Sequence, residues 1–85
     1  MARKRQTEIA AYLQARMDAA GGDPALIAAA LGEIARAHGM MKLAKETGLT
    51  REALYRALSP EGNPNFGTIL KVTKALGIKL VPKAA

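Results

Sequence analysis

Thr50, Arg51, Glu52, Tyr55 and Arg56 fall within one short stretch, and together they carry the chemistry of base-edge recognition. An arginine fork matches guanine O6 and N7. A glutamate accepts from cytosine N4, and a threonine or tyrosine reaches a phosphate or a thymine methyl. Arg51 and Arg56 suit guanine. Glu52 suits cytosine, or equally marks a solvated helix start; Tyr55 suits contact, or equally half-buried packing. Lys42 and Lys45, a little upstream, suit the phosphate backbone, although solvated lysines need no partner. Asn63 and Asn65 precede a further helix, where free N–H groups favour phosphate; a turn residue and a helix cap account for them at least as well.

Other chemistries lack their residues. Cysteine is absent, which excludes a disulfide framework and thiolate metal sites. The single histidine, His38, sits near a helix C-terminus, where positive charge is mildly favoured, and one imidazole does not make a metal site. No serine or carboxylate has an evident base partner. Neither GxGxxG nor GxxxxGK[ST] occurs. The sequence therefore predicts no enzyme, no metal and no cofactor.

The elements that must position these side chains are helical. Thr7 to Ala20 reads as a first helix with an apolar stripe of Ile9, Tyr12, Leu13 and Met17, stopped by Gly21-Gly22. Asp23 caps a second helix, with Pro24 at its first position. It runs to His38 and buries Ile27, Leu31, Ile34 and Ala35. A third helix covers Met41–Thr47, with Leu43 and Ala44 inward. Gly48 supplies the turn, Leu49 plugs it, and Thr50 caps a fourth helix whose inner residues are Leu54 and Ala57. This spacing is that of a helix-turn-helix, with the reading helix starting at Arg51; a structural helical hairpin would show the same pattern. Ser59–Pro64 is a loop. Asn65 caps a fifth helix, Phe66–Leu76, with a stripe of Phe66, Ile69, Leu70, Thr73 and Leu76. Ile78-Lys79-Leu80-Val81 alternates as a short C-terminal strand would. Such a strand needs a partner, and the same strand of a second subunit would provide one.

The 85 residues predict one domain: residues 1–22 an arm and helix, 23–77 the core, 78–85 a strand or tail. No apolar run approaches the roughly 20 residues of a membrane span, and the N-terminus lacks a secretory pattern. The expectation is a cytoplasmic protein. Net charge is +6. Residues 23–39 carry −1 (Arg36 against Asp23 and Glu33), whereas 40–58 carry +2 (Lys42, Lys45, Arg51 and Arg56 against Glu46 and Glu52). The proposed reading segment is thus basic, which favours polyphosphate partners.

The runs ALGEIARAHGM (Ala30–Met40), LAKETGLTREALYRALS (Leu43–Ser59), GNPNFGTILKV (Gly62–Val72) and KALGIKL (Lys74–Leu80) resemble the addiction-module antidote proteins over about Tyr12–Leu80. These are small Xre/Cro-like antitoxins of type II toxin–antitoxin modules, usually paired with a RelE/HigB-type messenger-RNA interferase. The resemblance implies an all-α, five-helix, lambda repressor-like helix-turn-helix domain that acts as a homodimer. It would neutralise a cognate toxin and repress its own operon at a palindromic operator, with the toxin as co-repressor. The recognition helix would be Arg51–Leu58. In place of the long acidic lead often found in such antidotes, this chain begins with Arg3-Lys4-Arg5, which reads as a solvated tail or as an arm for phosphate or minor groove. Ile9, Tyr12, Leu13 and Met17 are a candidate toxin-binding surface, with simple core packing equally open. The alternatives are a stand-alone Xre/Cro-type repressor without a toxin and a basic bundle that binds an acidic protein.

Overall fold

The computed structural model describes residues 2–82 and 84, with the side chains of residues 2–4 left out. Five helices follow in order: α1 (Ala2–Ala20), α2 (Pro24–His38), α3 (Met40–Thr47), α4 (Arg51–Ala57) and α5 (Phe66–Ala75). α1 packs along α2, while α3 touches α2, α4 and α5. The short helix α3 is therefore the hub of the bundle.

Local chemistry explains the boundaries. Asp23 accepts a hydrogen bond from the Ala25 N–H at 3.0 Å, and Pro24 opens α2. Thr50 accepts from the Ala53 N–H at 3.0 Å and starts α4. Asn65 accepts from the Thr68 N–H at 2.8 Å and starts α5. Each satisfies a donor that the helix start would otherwise leave open. Between α3 and α4 the chain turns on Gly48, whose φ of 77° is left-handed and free of strain only for glycine.

The core forms where these helices meet. Leu31, Leu43, Leu54, Leu58 and Val72 are fully buried, one each from α2, α3 and α5 and two from α4 and its C-cap. Leu13 brings α1 to this cluster. Thr73 is a buried polar residue whose hydroxyl donates to the Ile69 carbonyl at 3.0 Å, so its polar atom is not stranded.

Three expectations need correction. α1 begins at Ala2, before Thr7. Residues 2–6 lack a cap signal, but arginine, lysine and glutamine are good helix formers and prolong a helix already docked on α2. The backbone of Arg3 and Lys4 is therefore helical; their side chains lie outside the described residues. On α5, Phe66 and Leu70 are exposed and Val72 is buried. The buried stripe is rotated toward α3, and it comprises Ile69, Val72, Thr73 and Leu76. Finally, no strand occurs among the described residues. Ile78 is tied back instead, its N–H donating to the Thr73 carbonyl at 3.0 Å with its side chain buried. A lone extended segment has no ladder to join. Lys83 and Ala85 of the expected strand or tail lie outside the described residues.

Candidate nucleic-acid interface

α3, the Gly48 turn and α4 hold most of the residues that the sequence predicts for recognition. Leu54 is fully buried and Ala57 packs against the core, which fixes how α4 is rotated. Residues off that inner face point to solvent. Accordingly Thr50, Arg51, Glu52, Tyr55 and Arg56 are all exposed. The side chains that sequence groups by spacing are grouped on one surface by the fold.

The turn is braced from within. The Thr47 hydroxyl donates to the Leu43 carbonyl at 2.8 Å and accepts from the Leu49 N–H at 3.2 Å. Leu49 packs against the core. The Thr50 hydroxyl oxygen is engaged as the cap of α4, leaving its O–H as a donor for a phosphate or base acceptor. The Arg51 guanidinium stands over the Tyr55 ring, 5.9 Å from its centroid. This one-turn stacking restricts the guanidinium without consuming its N–H donors.

Lys42 and Lys45 are exposed on α3. Of the carboxylates in this helix pair, Glu46 turns toward the His38 Nε2, 2.7 Å away. That contact joins the end of α2 to α3 and draws one negative charge to the side of α3 facing α2. Sequence reading missed it, because two residues eight apart across a helix boundary carry no local periodic signal. Asn65 is occupied as a cap; Asn63 is exposed in the loop before it.

The stripe on α1 divides. Leu13 is buried, and Ile9 and Met17 are partly buried against the core. Tyr12 is 43% exposed and belongs to a polar clasp between α1 and α2. Its hydroxyl donates to the Glu33 carboxylate, and the Arg16 guanidinium donates to the Tyr12 oxygen at 2.6 Å and to Glu33 at 2.8 Å. The Tyr12 hydroxyl first and Arg16 second hold the Glu33 carboxyl below its ordinary pKa, while the Glu33 hydrogen bond raises that of Arg16.

Among the described residues no group of histidine or acidic side chains is placed to hold a metal ion, and no helix is long and apolar enough to cross a membrane.

Residues 3–84 match the family model for the probable addiction module antidote protein. An uncharacterized protein of Haemophilus influenzae is 54% identical over 54 residues, which span 64% of this chain and 56% of that protein. The matched region thus spans little more than half the length of that relative. No solved structure matches the chain.

Proposed function

The chain belongs to the family of probable addiction module antidote proteins, and from that premise we propose that it is the antitoxin of a type II toxin–antitoxin module and represses its own operon. Its partner on this reading is a cognate toxin of the RelE/HigB type. The protein acts without enzymatic chemistry, in the cytoplasm. The 85 residues form one Xre/Cro-like helix-turn-helix domain that binds duplex DNA as a homodimer. Its operator is a palindrome in its own promoter, with half-sites about one helical turn apart.

The observation that carries the DNA half is the exposure of Arg51, Glu52, Tyr55 and Arg56 on a helix whose Leu54 is fully buried. α4 enters the major groove by its N-terminal end. Arg51, stacked on Tyr55, and Arg56 read guanine edges; Glu52 accepts from cytosine. Thr50, Lys42, Lys45, Asn63 and Asn65 bind phosphates. The antidote half is supported by the family match. On the partner side, Ile9, Tyr12, Leu13 and Met17 of α1 contribute, Leu13 and Met17 only as the wall of a surface that other elements complete.

Co-expression with the product of the adjacent gene tests the antidote half. Restored growth and co-purification are expected; a toxic neighbour that this chain neither rescues nor retains would end that reading. Binding to the promoter fragment tests the other half. Retention of that fragment should be stronger than that of a scrambled duplex and weaken steeply with salt.

A further inference from the structure

Four of the eight large hydrophobic side chains left exposed among the described residues sit on α5 and the C-terminal segment: Phe66 (68% exposed), Leu70, Leu80 and Val81 (74%). They do not scatter. Phe66, Leu80 and Val81 share a groove of about 520 Å³ with Leu13 and Met17 of α1. Contiguous exposed apolar surface of this kind marks an interaction site, whereas isolated exposed hydrophobes do not.

The lining of the groove carries a basic side chain and no acidic one among the described residues. Lys79 is the ionised side chain lining it among the described residues, and Lys74 follows Leu70 by one helical turn. From Gly62 to Ala85 the chain has four lysines and no aspartate or glutamate. On the α1 wall, Asp18 accepts a hydrogen bond from Gln14 at 3.0 Å. Two copies of this face meeting with Lys79 near the twofold axis would set lysine against lysine, and like charges at an interface oppose association. The complementary occupant is apolar with a negative charge beside it.

We propose that the groove between α1 and the C-terminal segment docks a segment of the cognate toxin that presents apolar side chains flanked by a carboxylate. The inference rests on the antidote reading above and gives it a surface. Phe66 is the aromatic anchor, the rigid apolar contact that dominates interface energetics. Leu13 and Met17 form the α1 wall, and Lys79 pairs with the carboxylate. The surface lies on elements other than α3 and α4, so toxin and DNA binding are separable by substitution.

Calorimetric titration of purified toxin into the full chain tests this. The variants are Lys79→Glu and the double Phe66→Ala/Val81→Asp, with Arg51→Ala as control. All four positions are exposed, and a helical melt by circular dichroism checks that each variant folds. Lys79→Glu should weaken toxin binding roughly tenfold or more, and the double variant roughly a hundredfold. Arg51→Ala should leave it unchanged. If the double variant does not fold, Lys79→Glu decides, supported by recovery of affinity when a toxin carboxylate is exchanged for lysine. Wild-type toxin affinity in Lys79→Glu and in a folded double variant overturns the proposal. So does a sedimentation experiment in which these variants lose self-association but keep toxin binding, because the groove would then belong to a second copy. Toxin that fails to bind the wild-type chain refutes the antidote reading itself, and the docking site with it.

Discussion

Gly32 on α2 lies hard against the end of α4: a Cβ built on it would stand 2.3 Å from the carbonyl oxygen of Leu58. The missing side chain lets α2 approach the backbone that follows Arg56, so a core glycine helps set the position of α4. Alanine would gain about 1 kcal/mol in helix propensity. The obstacle is backbone and cannot rotate away, and overpacking costs about 1–3 kcal/mol or more. Because the obstacle is backbone, the cost lies at the upper end, and Gly32→Ala should be a net loss of about 2 kcal/mol, accompanied by weaker DNA binding. Urea unfolding measures the first; equal or greater stability would show that the helices part freely.

Thr50 has two assignments that substitution separates. As the cap of α4 it accepts from the Ala53 N–H, and Thr50→Ala should lower stability by about 1 kcal/mol. Thr50→Ser keeps the hydroxyl and should restore both stability and DNA binding. Thr50→Asp also caps well but carries negative charge toward phosphate, so it should keep stability and lose DNA affinity. A Thr50→Asp variant that binds DNA like wild type would remove Thr50 from the interface.

The clasp of Tyr12, Arg16 and Glu33 predicts a pH response. The Glu33 carboxyl titrates below its ordinary value because the Tyr12 hydroxyl and then Arg16 stabilise its charged form. A lowered folded-state pKa contributes stability above the unfolded value, near pH 4.3 for glutamate, and loses it as pH falls through the folded value. For Arg16 the folded pKa is raised, so its contribution stays constant throughout the range where the protein is handled. Wild type should thus lose stability relative to Glu33→Gln below about pH 4. Parallel melting curves from neutral pH down to about pH 3 would show that the clasp does not form.

Much of this was legible in the sequence because capping is local. Asp23, Thr50 and Asn65 are each followed within three residues by the N–H they accept, and α2, α4 and α5 start where these residues say. What failed depends on distant partners. The rotation of α5 is set by its contact with α3, so Phe66 and Leu70 fit a helical stripe yet stay exposed while Val72 is buried. The Ile78–Val81 alternation suits a strand, but a ladder needs a second strand and none lies among the described residues. In α3 and α4, inner and outer residues separate as their spacing requires. The contacts of Glu46 with His38 and of Glu33 with Tyr12 and Arg16 join different helices and left no periodic trace.

Lys42 and Arg51 should behave differently on DNA. A phosphate contact carries no sequence information. Lys42→Ala should weaken binding to every duplex alike and reduce the salt slope by about 1. Titrations of specific and scrambled DNA at several salt concentrations check this. A loss confined to the specific site would move Lys42 into the base-reading set.

Fluorescence anisotropy of the labelled promoter fragment, titrated with wild type and with Arg51→Ala, separates a base-reading α4 from a purely structural one. If α4 reads bases, Arg51→Ala loses about 1–3 kcal/mol on the promoter and discriminates less against guanine substitutions in the half-site, while its melting curve matches wild type. An Arg51→Ala variant that binds the promoter with wild-type affinity and wild-type base preference would contradict base reading by α4.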